Sequence, residues 1–212
     1  MKITVYSTKG SAWKTPIATN IVLDKGFAIG TNEPFHVFKS FIPENRLLCV
    51  DLNQAFPPIP KSIDMVFDLA GSISNTSKSI TTAIEQSDVV LIPIYNEVKS
   101  IHAGLNTIAE VLNLNKNIIV IATKLKKKGR ADKFKDWKDS NDCKNISNLV
   151  LKQFGDRIPV LPLKYSEVFD TIFEQEKSIA QLMKKNGLNR YLYKWVSNQF
   201  DAIYKLIDTY AK

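Results

Sequence analysis

Short apolar runs recur from one end of this chain to the other, at Lys2–Tyr6, Gly26–Gly30, Arg46–Val50, Ile63–Phe67, Val89–Ile94, Asn117–Ala122 and Ile158–Leu161. Most are rich in Ile and Val and nearly continuous rather than alternating. Strands covered on both faces read this way, so the runs predict a parallel sheet held between two helix layers. Apolar residues at helical spacing lie between them: Ile17, Ile21 and Val22, then Ile80, Ala83 and Ile84, then Leu105, Ile108, Ala109 and Leu112. Strand–helix alternation along the whole length predicts a doubly wound, mostly parallel α/β sheet flanked by helices.

The 212 residues show no internal repeat, no low-complexity linker and no break in composition, so residues 1–212 read as one domain. A hydrophobic content of 44% excludes a disordered chain. Twenty-nine Lys and Arg against 21 Asp and Glu leave a net charge of +8, which favours an anionic partner: nucleic acid, nucleotide or acidic lipid. Cys49 and Cys143 lie far apart in sequence, which speaks against a disulfide framework and for a reducing compartment. The opening Met1–Tyr6 turns polar too soon for a signal peptide, and no apolar stretch has the length of a membrane span. A cytoplasmic protein is the expectation.

Two segments interrupt the alternation. Asn32–Pro43 is a long excursion between the second and third runs. Lys124–Lys138 concentrates positive charge, with Lys126, Lys127, Lys128 and Arg130 at its centre and Phe134 and Trp137 interleaved. Clustered lysines displace counterions from a phosphate backbone, so this run is a candidate DNA-tracking patch as well as an ordinary solvated face. Near the C-terminus, Leu188, Leu192, Trp195, Val196, Phe200, Ile203, Leu206, Ile207 and Tyr210 form a helical apolar stripe. Its aromatics, with Asp201 and Asp208, argue for a helix docked on the sheet rather than one that targets a membrane.

The first run leads into Ser7-Thr8-Lys9-Gly10-Ser11-Ala12-Trp13-Lys14-Thr15, and a helical pattern begins at Pro16. A strand, a short small-residue loop, Lys-Thr and a helix make the geometry of a phosphate-binding loop. Its backbone N–H groups and helix N-terminus converge on an anion, the lysine supplies a point charge, and the Thr hydroxyl can ligate Mg²⁺. Pro16 suits an early helical position, where its missing N–H has no partner to lose. Asp68 closes an apolar run, where a carboxylate is costly unless partnered.

On these residues the chain resembles the ParA/MinD superfamily of deviant Walker A P-loop ATPases, most of all the compact ParA-like partition proteins. Lys9 matches the extra signature lysine of their loop. Ile63–Gly71 sits where they have a Walker B strand, Ser87–Pro93 resembles their next strand, and Phe154–Pro162 the approach to the adenine pocket. The resemblance implies that ATP is held by Lys9, Gly10, Ser11, Ala12, Trp13, Lys14, Thr15, Pro16 and Pro162, and Mg²⁺ by Thr15 and Asp68. It implies catalytic roles for Lys9, acting across a homodimer, and for Asp51 beside the attacking water. It also implies non-specific DNA binding, a centromere-binding adaptor protein as partner, and association with the nucleoid.

The sequence departs from that pattern in three places. Trp13 stands where the family has a glycine before the lysine, and an indole there is expected to crowd the nucleotide. Ser11 replaces another loop glycine. Asp51-Leu52-Asn53-Gln54 resembles the family's Asp-x-Asp-x-Gln switch, but Asn53 is an amide that cannot accept a proton, so slow or absent hydrolysis is expected. Two further readings therefore stand beside the partition ATPase: a P-loop-derived adaptor that no longer holds nucleotide, and a MinD-like membrane-associated regulator.

Overall fold

The computed structural model describes residues 1–71, 77–127 and 133–211. Each predicted run becomes a strand. They are β1 (Lys2–Val5), β2 (Ala28–Thr31), β3 (Leu47–Cys49), β4 (Met65–Asp68), β5 (Val89–Tyr95), β6 (Ile118–Leu125) and β7 (Val160–Lys164). All neighbours pair in parallel, in the order β3-β2-β4-β1-β5-β6-β7. The last strand starts two residues later than its apolar run and reaches Lys164, because Gly155–Arg157 winds into a 3-10 turn ahead of it.

The helices are α1 (Lys14–Lys25), α2 (Lys78–Gln86), α3 (Val98–Val111), α4 (Asn141–Phe154), α5 (Val168–Gln175), α6 (Ile179–Met183) and α7 (Gly187–Asp208). Side chains alternate along each strand, so one sheet supplies two cores. Ile3 and Val5, with Leu91, Ile119, Ile121 and Leu163, face α1, α5, α6 and α7. Phe67, Val90, Ile92, Ile94 and Val120 face α2, α3 and α4. This double coverage is why the runs are continuous rather than alternating.

Polar joints fix the helices in place. Asn20 of α1 donates from Nδ2 to the Tyr204 hydroxyl at 3.1 Å, and its Oδ1 accepts from the Ile179 N–H at 2.8 Å. One buried amide thereby ties α1 to both α6 and α7. Gly26 ends α1 in a left-handed conformation (φ 73°), its N–H reaching the Val22 carbonyl at 2.9 Å.

The C-terminal stripe docks only in part. Val196, Phe200, Ile203 and Ile207 are buried, but Leu188, Tyr191, Leu192 and Trp195 are exposed. The helix is long enough to overrun the sheet, and its first turns project past the core. Among the described residues no helix is long and apolar enough to cross a membrane. Both cysteines are free; Cys143 is buried, whereas Cys49 is exposed on the edge strand with its Sγ 3.2 Å from the His36 ring.

Candidate phosphate-binding site

Open α/β sheets bind ligands at the carboxyl ends of their strands, where helices leave for opposite faces. Here that point is the end of β1, from which residues 6–13 cross to α1. Ser11 (φ 59°) and Trp13 (φ 70°) are both left-handed, a conformation that bulky residues adopt at a cost of about 1–3 kcal/mol. Loop glycines would adopt it freely. The chain keeps the curled backbone from which anion nests are built, without the residues that make it easy.

Two contacts hold the loop to the sheet. The Thr8 hydroxyl stands 3.0 Å from that of Thr107 on α3, and the Thr123 hydroxyl donates to the Ala12 carbonyl at 3.5 Å from the end of β6. Gly71, just past β4, is equally tight: a Cβ there would lie 3.0 Å from the Thr8 carbonyl oxygen and 3.1 Å from that of Ser7.

Lys14 is buried, 6% exposed, in the first turn of α1. Its charge acts on Asp68, the last residue of β4, whose register partner on β1 is Val5. Complete burial pushes the Asp68 carboxyl up to about 7, with Glu33 adding to the rise; the Thr15 hydroxyl and the Lys14 charge pull it back. Its Oδ1 is buried with no hydrogen-bond partner. An orphaned carboxylate oxygen next to a Thr hydroxyl is a hard-oxygen donor pair, which fits Mg²⁺. The structure thus brings Lys14, Thr15 and Asp68 to one mouth.

Lys9 is half-buried beside that mouth, close enough that its charge acts on Lys124. Lys124 sits at an irregularity in the β6–β7 pairing with φ 56°, a bulge at the end of a strand next to the loop. Burial depresses its amine, and its Nζ lies 4.5 Å from the Tyr95 ring centroid. Gly10 and Ser11 are exposed, Ala12 is buried and Pro16 is half-buried. Pro162 is buried in β7, where it lines a small cavity away from the loop with Lys135, Trp137 and Trp195.

The Trp13 indole runs toward β7, not toward Asp68. Its ring lies 4.5 Å from Phe169 of α5 and 5.7 Å from Tyr165, just past β7. Asp68 belongs to β4, on the opposite side of β1. Any crowding by the indole falls on the β7 side of the loop, and the Lys14–Asp68 mouth is left clear.

Asp51 is not brought to that mouth. It follows β3, the outermost strand, and is exposed, with its N–H 3.4 Å from the Gln54 side-chain oxygen. Strands lie about 4.8 Å apart, so β3 stands roughly 10 Å from β4 across β2. The excursion at 32–46 carries the chain outward before β3 begins, and β2 takes the place beside β4. Thr31 pairs with Asp68, and Glu33, two residues on, is the carboxylate whose charge reaches Asp68. Between them Asn32 is buried; its Oδ1 accepts from the Ala70 N–H at 2.7 Å, and its Nδ2 donates to Ser79 at 2.8 Å. Sequence reading missed Glu33 because it looked for an aspartate pair. The available signal was position: Thr31-Asn32-Glu33-Pro34 closes the strand that directly follows the loop helix.

Of the candidate DNA-contacting residues, Lys126 and Lys127 are exposed just past β6, each over an aromatic ring: Tyr165 at 3.9 Å and Phe134 at 5.1 Å. Lys128 and Arg130 lie outside the described residues.

This loop on this strand order is the fold of the ParA/MinD type of P-loop ATPase. The apo form of McdA from Cyanothece matches 95% of this chain and 98% of its own, with a TM-score of 0.64 at 14% identity. MinD of Aquifex aeolicus, a cell division protein, matches over 99% and 94%, with a TM-score of 0.54 at 14% identity. The pNOB8 ParA matches over 99% and 98%, at 0.57 and 13%. McdA is also known in an ATP complex, which matches over 94% and 96%, at 0.60 and 15%. No protein-family model and no curated sequence matches the chain. The likeness is one of fold.

Proposed function

We propose that this chain is a ParA-like DNA-segregation ATPase, one P-loop domain that binds ATP, pairs with a second copy and then binds DNA without sequence preference. A centromere-binding adaptor would regulate it, at the nucleoid in the cytoplasm. The observation that carries this reading is the Lys14–Thr15–Asp68 mouth, where a buried lysine meets a buried carboxylate with one orphaned oxygen. Few structural roles account for that pairing, since burying a carboxylate without full compensation is costly.

Each residue has a distinct task. Lys14 binds the terminal phosphates as a fixed charge already desolvated by burial. Thr15 and Asp68 would hold Mg²⁺, whose charge offsets that of the phosphates. Lys9 reaches the nucleotide of the partner subunit, so that contacts made only across the interface give ATP differential affinity for the pair. Glu33, at the end of the strand beside Asp68, is placed to accept the proton of the attacking water, the task first expected of Asp51.

Calorimetry with ATP and Mg²⁺ tests the reading. Binding is expected with Trp13 in place, because the indole turns to the β7 side. Lys14→Ala is expected to weaken it by about thirtyfold or more, the effect of removing a buried charge partner. Binding by neither the parent chain nor Trp13→Gly would instead support the adaptor, the reading that Trp13 and Asn53 favour.

A further inference from the structure

A cleft of about 720 Å³ opens past the ends of β6 and β7, walled on one side by the start of α7. Its volume falls within the roughly 300–1,000 Å³ of small-molecule sites, but its chemistry is not that of an apolar pocket. Lys126, Lys127, Lys135 and Lys164 line it together with the rings of Phe134, Trp137, Tyr165 and Trp195, and no carboxylate does. Three of the lysines lie over three of the rings: Lys126 on Tyr165 at 3.9 Å, Lys127 on Phe134 at 5.1 Å and Lys164 on Trp137 at 5.8 Å. Trp195 is different. It is 51% exposed, and among the described residues it has neither a stacking ring nor a lysine over its face.

We propose that this cleft binds single-stranded nucleic acid, with an unpaired base stacked on Trp195 and the adjoining phosphates on Lys126, Lys127 and Lys135. Duplex DNA hides its base faces, so a phosphate-only site needs projecting lysines and has no use for an aromatic wall. Every unpaired base offers a face to a ring, and rings beside a basic groove are the recurring design of sites for single strands. Shape separates a strand from a mononucleotide. Trp137 and Trp195 also line an adjoining cavity of about 250 Å³, walled by Lys135, Lys138 and Asn198, so the groove continues past both indoles. Asp136 is the one carboxylate on that second part. Burial and the nearby Lys127 depress the Lys164 amine, as expected of a wall packed with like charge. The groove also meets the phosphate loop, since Tyr165 stacks on Trp13.

The inference specifies the nucleic-acid part of the function proposed above and does not depend on ATP being bound. Fluorescence anisotropy of the full chain with a labelled oligothymidylate of about 16 nucleotides, beside a duplex of the same length, tests it. The single strand is expected to bind at least tenfold more tightly than the duplex. Trp195→Ala should weaken the single strand about tenfold and leave the duplex unchanged, with Trp195→Phe retaining most of the affinity. Lys126→Ala should lessen the salt dependence between about 50 and 200 mM by about one unit of slope. Trp195 is exposed, so its loss leaves the fold intact. Equal or tighter duplex binding with no effect of Trp195→Ala overturns the inference while leaving a duplex-binding partition ATPase standing. Displacement of the strand by ATP and Mg²⁺ overturns it as well, by assigning the cleft to the nucleotide's own base. Single-strand binding by a chain that holds no ATP supports it while removing the ATPase.

Discussion

Asp68 carries the highest electrostatic stress at the site. Folding takes its carboxyl from an ordinary 3.8 to about 7, so between those values the native chain holds a proton that the unfolded chain has lost. Stability therefore falls as pH rises through the window and levels off above it. Without nucleotide, the thermal midpoint should be higher at about pH 5 than at about pH 8, and Asp68→Asn should remove that part of the difference. A midpoint that rises with pH in the parent but not in Asp68→Asn would show the carboxylate to be favourably ionised in the fold. Trp13 poses a different question, because its left-handed backbone costs energy that its stacking on Phe169 and Tyr165 offsets. Trp13→Gly relieves the first and loses the second, so a net change within about 2 kcal/mol in urea denaturation is expected.

Among the elements, α7 is divided along its length. Phe200 is 2% exposed in the sheet-facing core, and Phe200→Ala should cost about 3–5 kcal/mol in denaturant unfolding. Leu192, 48% exposed on the first turns, should change stability by no more than about 0.5 kcal/mol when replaced by Ala. Equal costs would mean that the first turns are covered. The loop has its own test in Gly71, where a Cβ would press on backbone oxygens rather than on a movable side chain. Overpacking of this kind costs about 1–3 kcal/mol, and if it is spent in displacing the loop, Gly71→Ala should weaken ATP binding about tenfold. The seven strands were legible because burial on both faces writes itself into composition. The half-docked α7 was not, because an apolar stripe looks alike whether or not anything covers it.

For the molecule as a whole, the sheet order decides which groups meet. Lys9 contributes no partner to its own Asp68 cluster, which suits a residue that acts across a subunit interface. Sedimentation should show ATP and Mg²⁺ converting the chain to a dimer and a chelator reversing it. Lys9→Ala should still bind nucleotide but fail to pair. A change from mostly single to mostly paired chains requires roughly 5.5 kcal/mol of differential affinity, within reach of a few charge-assisted contacts. Glu33→Gln should slow hydrolysis with binding retained, and Asp51→Asn should leave both alone.

What this chain determines by its sequence alone is local: strand and helix periods, a loop with Lys14 and Thr15 at its end, and an aspartate closing an apolar run. These follow from neighbours a few residues apart, where burial pattern and backbone preference act. The tertiary structure alone placed Glu33 rather than Asp51 beside Asp68, sent the Trp13 indole toward Phe169, and gathered lysines and rings from β6, β7 and α7 into one cleft. Those outcomes depend on which strand lies next to which, and strand order is set by packing across the whole sheet.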